Sequence, residues 1–398
     1  MWEYFIPDDL VALVLVRLPF DALFRCRSVS KSWRDLIDAP NFTQLYLNSS
    51  PLDNTKQHII ACPPSGRTFY AFQWVHELEG SSQYKAINPK KFENPFPDFF
   101  SGQVQIVGSS NGILCLWNKS SDSLLLWNPW INKFSSLPGL PVDCTEAGSY
   151  CVGAAFGIDP KNDDYKVVKW YEFEDVYGYE FCVYSLKLNS WRRIKDGLPY
   201  DEVIEPHSSC TFVNGVLYFV VKYDESESDD DYDNYDDPDD DDYDSNEDEV
   251  YFIVGFDLGS EEFRYVCSVP VSPRYKDQYD YHHLLSLNGR LQCFSSYMNR
   301  GGLMGQIWER RKKDDRDKMT WDLVSFVSFY SRGSDFRDSR ILAVEEKYRI
   351  LLQVGEKLVL HDFDKRSIGE VIINDKEAGS ITSCTCVQGF VNPCSFLI

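Results

Sequence analysis

The chain has 398 residues, of which 43% are hydrophobic and 15% aromatic, so it can bury a large core and is not globally disordered. Its net charge is −22, but residues 224–249 hold 17 of the 62 acidic residues and no lysine or arginine. Taking 17 from 22 leaves about −5 for everything else. This balance excludes a general basic field for nucleic acid or for an anionic membrane.

The sequence predicts neither a membrane span nor a metal site. The apolar run 10–18 is too short to cross a bilayer, and acidic residues precede it where a secretory leader would have basic ones. The 12 cysteines include no Cys-x-x-Cys pair, and the adjacent His282 and His283 would point to opposite faces of a strand. We therefore expect reduced cysteines, no cofactor, and a protein of the cytoplasm or the nucleus.

Residues 1–45 have the pattern of three short helices. Pro7 and the acids after it predict the start of the first helix, and Pro19 predicts its end. A second helix covers about 21–26, and a third ends before Pro40. The first helix is apolar on nearly all faces, and so small a unit cannot bury all of them by itself. Its surplus apolar face either packs on the rest of the chain or binds a partner, and the residues alone leave both open.

From about residue 56 the pattern changes to short strands. Asn-Gly, a tight-hairpin dipeptide, occurs at 111–112, 214–215 and 288–289. With the acidic segment set aside, units of about 40 to 50 residues with four strands each recur, which is typical of propeller blades. About five units are recognisable, and strands at 58–62 and 381–387 would close a sixth. We predict a mainly β chain with about six blades, five or seven being the alternatives.

The acidic segment 224–249 falls between the second and third strands of one unit. It has almost no apolar content apart from tyrosine, so we predict a disordered loop on the propeller surface. It has no glycine, which argues against a calcium loop. It is either a solvated spacer or a segment that steers a basic partner.

One motif has the spacing of a hydrolase nucleophile. Gly108-x-Ser110-x-Gly112 matches the pattern, but the nucleophile elbow needs a helix after the turn, and a strand is predicted here. Asn111-Gly112 explains the glycine as part of a hairpin. No catalytic residue is predicted.

Both regions resemble known families. The first 45 residues resemble an F-box through Ile6-Pro7-Asp8-Asp9-Leu10, Val14-Leu15, Leu18-Pro19, Leu23, Arg25, Val29, Lys31 and Trp33. The rest resembles the F-box-associated domain of a large plant family that includes the S-locus F-box proteins. The strings that carry it are GSSNGILC (108–115), LWNP (126–129), FGID (156–159), DYKVV (164–168), FVNG (212–215) and FDLGSEEF (256–263).

The resemblance implies a domain order and a function. An F-box would occupy 1–45, a connecting segment with the first propeller strands 46–100, and an F-box-associated β-propeller-like domain 101–398. The chain would be the non-catalytic substrate-recognition subunit of an SCF-type cullin–RING ubiquitin ligase. Its partners would be a Skp-type adaptor, through it a cullin, and a target protein bound by propeller loops, for which a basic protein would suit the acidic loop. The residues implied to contact the adaptor are Pro7, Leu10, Val14, Leu15, Leu18, Pro19, Leu23 and Trp33.

Two alternatives remain at this point. The first is an F-box scaffold that does not lead to degradation, which shares adaptor binding with the receptor. The second is a glycan-binding or enzymatic β-propeller, which predicts inward carboxylates on several blades and leaves the F-box unexplained. The substrate-binding residues are not identified.

Overall fold

The structure is a computed structural model. It describes residues 6–48, 57–62, 68–73, 75–78, 83–101, 104–141, 149–173, 179–195, 197–198, 210–223, 250–270, 279–287, 289–299, 302–312, 319–329, 339–345, 349–354, 357–362, 365, 367–373, 382–387 and 393–396.

Four helices lie at the N-terminal end of the described chain. They are α1 (Asp8–Leu15), α2 (Phe20–Cys26), α3 (Lys31–Asp38) and α4 (Pro40–Asn48). The three predicted helices are present, and α4 was not predicted. Proline was interpreted only as the end of α3, but it also suits the first turn of a helix, where no partner for its nitrogen is needed. Pro40 therefore both ends α3 and begins α4.

The rest of the described chain is mainly β. The strands are β1 (Gln57–Cys62), β2 (Thr68–Phe72), β3 (Val75–Glu77), β4 (Tyr84–Ala86), β5 (Lys90–Glu93), β6 (Val104–Ser110), β7 (Ile113–Asn118), β8 (Ser123–Asn128), β9 (Lys133–Ser136), β10 (Ser149–Asp159), β11 (Asp164–Phe173), β12 (Tyr179–Ser185), β13 (Ser190–Arg193), β14 (Thr211–Val213), β15 (Val216–Tyr223), β16 (Val250–Asp257), β17 (Glu262–Ser268), β18 (Tyr279–Leu287), β19 (Arg290–Asn299), β20 (Gly302–Lys312), β21 (Met319–Phe329), β22 (Ser339–Glu345), β23 (Arg349–Val354), β24 (Lys357–Asp362), β25 (Ser367–Ile372) and β26 (Thr382–Val387).

These strands form six sheets in two compact units. The unit Met1–Gly139 with Asp338–Ile398 contains the helices and the sheets β6-β7-β8-β9, β26-β1-β2-β5 and β22-β23-β24-β25-β4-β3. The unit Leu140–Arg337 contains β10-β11-β12-β13, β14-β15-β16-β17 and β18-β19-β20-β21. The prediction of a mainly β chain with about six blades after N-terminal helices is confirmed, and five of the six sheets have four strands.

The sixth sheet joins strands from distant parts of the chain. β26 pairs antiparallel with β1, from Gln57 opposite Val387 to Cys62 opposite Thr382. This is the pairing expected of the two leftover strands, and it gives both of them a neighbour. The hairpin β3–β4 was not predicted. It adds to another sheet of this unit, where β4 runs parallel to β25 with Val371 opposite Tyr84.

The Asn-Gly turns have the backbone that the sequence predicts. Asn111 and Gly112 have φ values of 51° and 88°, both in the left-handed region that a two-residue hairpin requires. They join β6 to β7, so a strand follows Ser110 and the Gly108-x-Ser110-x-Gly112 motif does not form a nucleophile elbow. The acidic segment lies between β15 and β16, the second and third strands of their sheet, as predicted. Its predicted disorder falls outside the described residues.

A buried lysine joins two sheets of the unit Leu140–Arg337. Lys166 on β11 donates to Asp159 Oδ2 at 3.1 Å, to Glu261 Oε1 at 2.8 Å and to the carbonyl of Leu258. Burial by itself would raise the pKa of Asp159, but hydrogen bonds from Asn162 and Lys166 outweigh it and hold that pKa below its ordinary value. The Lys166 ammonium thus bridges the two carboxylates and satisfies a buried oxygen of Asp159.

We predict that Lys166→Met lowers the free energy of unfolding by about 3–5 kcal/mol, because Asp159 then remains buried without its cation. The urea midpoint, followed by far-UV circular dichroism, measures this loss. Lys161→Met is the matched control, since Lys161 is exposed and lies 3.3 Å from Asp257, and it should cost less than about 1 kcal/mol. Equal midpoints for the two variants would contradict the structural role of Lys166.

Candidate protein-binding surface

The N-terminal helices bury one side of their apolar surface within the chain. Helix α1 turns residues 12, 15 and 16 inward, at the spacing of one helical face. The buried residues of α1, α2 and α3 are Ala12, Leu15, Val16, Phe20, Leu23 and Ile37. They belong to a core that also contains side chains of β1, β2, β6, β7 and β8. The helices are thus packed on the sheets of their own unit.

Trp130, in the turn after β8, is the centre of that contact. The rings of Phe20 and Trp130 meet edge to face with centroids 5.8 Å apart. The Lys90 ammonium lies 5.4 Å from the Trp130 ring centroid and 3.5 Å from Asp21 Oδ1. An apolar contact to the turn after β8 and a charged contact to β5 therefore fix α2 against two sheets of its unit.

Polar contacts hold α2 and α3 together. Arg27 donates to both carboxylate oxygens of Asp38, each at 2.7 Å, in the two-pronged geometry that only arginine provides. Ser30 Oγ accepts the amide of Trp33 at 3.0 Å and so caps the start of α3. The turn between the two helices has a defined conformation for this reason.

The other side of the helices exposes large apolar side chains. We call them the outward apolar residues: Ile6, Leu10, Leu13, Val14, Phe24 and Val29. Their exposed fractions run from 44% for Phe24 to 67% for Val29. The Arg27 guanidinium lies 5.7 Å from the Phe24 ring centroid, so Phe24 is supported although it is exposed. Such a concentration of exposed apolar side chains on a small unit is typical of a protein-binding surface.

Comparison with protein-family models identifies both regions. A model of the F-box domain matches residues 5–45, and a model described as the F-box associated beta propeller domain matches residues 75–387. The chain belongs to the F-box proteins with an associated β-propeller. The six sheets are the blades of that propeller, and α1 to α3 lie within the F-box.

Curated relatives come from Arabidopsis thaliana. F-box protein CPR1 is 33% identical over 201 residues, which cover 48% of this chain and 45% of CPR1. F-box/kelch-repeat protein At3g23880 is 27% identical over 216 residues, which cover 53% of this chain and 57% of the relative. The chain thus spans about half the length of these relatives. A longer match to At1g46984, at 25% identity, covers 81% of this chain and 74% of that protein.

No helix in the described part of the F-box protein is long and apolar enough to cross a membrane. Over the same residues, no group of three or more His, Cys, Asp or Glu side chains is placed to hold a metal ion.

The structure divides the eight predicted adaptor contacts into three groups. Pro7, Leu10, Val14 and Pro19 are exposed, Leu18 and Trp33 are partly buried, and Leu15 and Leu23 are buried. Direct contact by Leu15 and Leu23 does not fit this structure, because the chain's own core covers them. These two residues support the surface from below. Adaptor contact by the other six stays a prediction.

Sequence reasoning did not assign a partner contact to Ile6, Leu13, Phe24 or Val29, which are all exposed. The signal for Leu13 was present, since residues 10, 13 and 14 share the helical face opposite 12, 15 and 16. Phe24 follows the buried Leu23 within a short helix, and the direction of α2 decides which of the two is covered. That direction depends on the contact between Phe20 and Trp130, which no local pattern encodes.

We predict unequal effects on stability for two neighbouring truncations in α1. Leu15→Ala should cost about 2–5 kcal/mol, because it leaves a cavity in the core shared by the helices and sheets. Val14→Ala should change stability by less than about 0.5 kcal/mol, because Val14 is exposed. Thermal unfolding of both variants measures the difference, and a large loss for Val14→Ala would show that the chain itself covers this side of α1.

Proposed function

We propose that this F-box protein is the substrate-recognition subunit of an SCF-type cullin–RING ubiquitin ligase. Its F-box binds a Skp-type adaptor, and through it a cullin, while its propeller loops bind a target protein that is then ubiquitinated and degraded. The observation that carries the proposal is the set of outward apolar residues on helices that match the F-box model.

The outward apolar residues suit a helical protein partner. Covering half-exposed side chains of this size contributes roughly 1 kcal/mol each, so six of them supply several kcal/mol toward association. Acidic side chains at Asp8 and Asp9 and basic ones at Arg17 and Arg25 are exposed beside them. A partner with an apolar groove and a charged rim would match this pattern.

The role proposed for the chain is positioning, not covalent chemistry. The F-box helices share a core with blades of their own unit, so a bound adaptor would be held in a defined geometry relative to those blades. Holding a target lysine near the charged ubiquitin carrier raises its effective concentration. The chain therefore needs no catalytic residue of its own.

We propose the cytoplasm or the nucleus as the location. Cys62, Cys115, Cys182 and Cys293 are free thiols in the core, and reduced cysteines suit those compartments. Burial raises the pKa of the Cys293 thiol to about 12, so this cysteine is a neutral, unreactive core residue.

We expect wild-type protein to capture a purified Skp-type adaptor in a pull-down, and Leu10→Asp/Val14→Asp to lose at least 100-fold in affinity. The reason is that two carboxylates would have to be buried in an apolar interface. Both positions are exposed in the free protein, so the variant should keep the wild-type circular dichroism.

The control is Leu188→Asp, at a propeller residue that is 63% exposed, which should bind the adaptor like wild type. No capture by wild type would reject the ligase assignment and direct the next assays to glycan binding. Capture without ubiquitination of any bound target in a reconstituted ligase would favour the non-degradative scaffold.

A further inference from the structure

The outer strands of most blades have features that discourage further strand pairing. β5, β9 and β13 have only four residues each and carry lysine or arginine. The outer edge of β25 is covered by β4. Short, charged or covered edges of this kind prevent another chain from adding to a sheet.

β21 is not short and has no lysine or arginine, and its one charged residue, Asp322, lies 3.9 Å from Arg311 of β20. It is the outer strand of β18-β19-β20-β21, has 11 residues, and within the described chain it pairs only with β20. Among its described side chains, the exposed apolar ones are Met319, Leu323, Val324 and Phe326, from 38% exposed for Leu323 to 58% for Phe326. A long apolar outer strand is the arrangement that invites an additional strand.

A β-bulge brings Leu323 and Phe326 to one face of β21. Leu323 lies opposite Trp308 and Phe326 lies opposite Gln306, with Val324 as the extra residue between the paired positions. Trp308 and Gln306 are two residues apart and so share a face. Leu323 and Phe326 therefore lie on the same face of β21, although in a regular strand three residues of separation would put them on opposite faces.

The first half of β21 is fixed to the neighbouring blade of its unit. Trp321 packs against the core cluster that contains Val220 and Ile253, and its Nε1 donates to Cys267 Sγ on β17 at 3.2 Å. Trp321 lies opposite Arg310, which shares a face with Trp308 and Gln306. The Trp321 side chain is therefore on the same face of β21 as Leu323 and Phe326. Leu323 and Phe326 thus extend the face of β21 on which Trp321 is packed, and the contact of Trp321 holds this strand in place.

The exposed area of these side chains indicates which kind of partner could bind β21. The four side chains expose on the order of 300 Å², which is within the range of functional patches on monomers. A stable dimer needs roughly 800 Å² from each partner. An added strand needs less apolar area, because backbone hydrogen bonds along the edge provide much of its affinity.

We propose that β21 is the docking site for an extended peptide segment of another protein, which adds as a fifth strand to this blade. The peptide would carry apolar side chains at alternate positions, on the face of Leu323 and Phe326. Its backbone would bond the outer edge of β21. The surface is separate from the F-box, and the proposal does not depend on adaptor binding.

The first test selects binders from a library of 12-residue peptides displayed on phage, with the full-length protein as bait. We expect enriched peptides with apolar residues at every second position. Each is then synthesised with single N-methylated amides. Methylation should weaken binding at least tenfold at alternate positions and leave it unchanged between them, because only every second amide of a strand faces its neighbour. A loss without this period of two would overturn strand addition.

The second test compares Leu323→Lys/Phe326→Lys with the control Leu188→Lys. The selected peptides should bind the first variant at least tenfold more weakly and the control like wild type, while both variants keep adaptor binding. Equal binding by all three proteins, or no enriched peptide at all, would overturn the proposal. A concentration-dependent doubling of mass in sedimentation, present in wild type and lost in Leu323→Lys/Phe326→Lys, would overturn it in favour of a second copy of this chain. If the double variant fails to fold, the binding of the N-methylated peptides to wild-type protein still tests whether the peptide adds as a strand.

Discussion

The contact between the F-box helices and Trp130 is the constraint on which the arrangement of the first unit depends. Phe20 meets the Trp130 ring, and Lys90 links that ring to Asp21. This contact determines the direction of α2 and, through Arg27 and Asp38, that of α3. Because one side of each helix is used in the core, the large apolar side chains on the opposite side stay exposed.

The same division explains why a small helical unit can be apolar nearly all round. A single face of α1 contributes to a core that also contains strands of two sheets, so burial comes from the propeller and not from the helices themselves. The other face keeps Leu10, Leu13 and Val14 at the surface. Of the two explanations that the residues left open, internal packing is observed for one face of the helix, and a partner is proposed for the other.

Strand edges are the second constraint on the fold. Each blade has an outer strand, and the chain protects most of them with short length, charge or an added strand such as β4. β1 and β26 come from far apart in the sequence, and their antiparallel pairing completes the sixth sheet. β21 differs from these protected outer strands, because it is longer and exposes several apolar side chains. For this reason we propose it as a binding site for an added strand.

The sequence by itself determined the class of the protein, its repeat and its F-box. Asn-Gly pairs predicted hairpins, because they adopt the left-handed backbone that a tight turn requires. The repeat of short strands predicted the blades, and the two leftover strands correctly predicted a sixth blade. These features are local, or repeat along the chain, so they can be read without coordinates.

Tertiary structure decided which apolar residues are covered. Four leucines of the short F-box helices, Leu10, Leu13, Leu15 and Leu23, are chemically identical. Only Leu15 and Leu23 are buried, because Trp130 and the sheet strands lie on their side. The helix after Pro40, the parallel pairing of β4 with β25, and the bulge that aligns Leu323 with Phe326 also depend on contacts between distant residues. A pattern within one segment carries no information about which distant segment will pack against it, and for this reason only the folded chain separates core from binding surface.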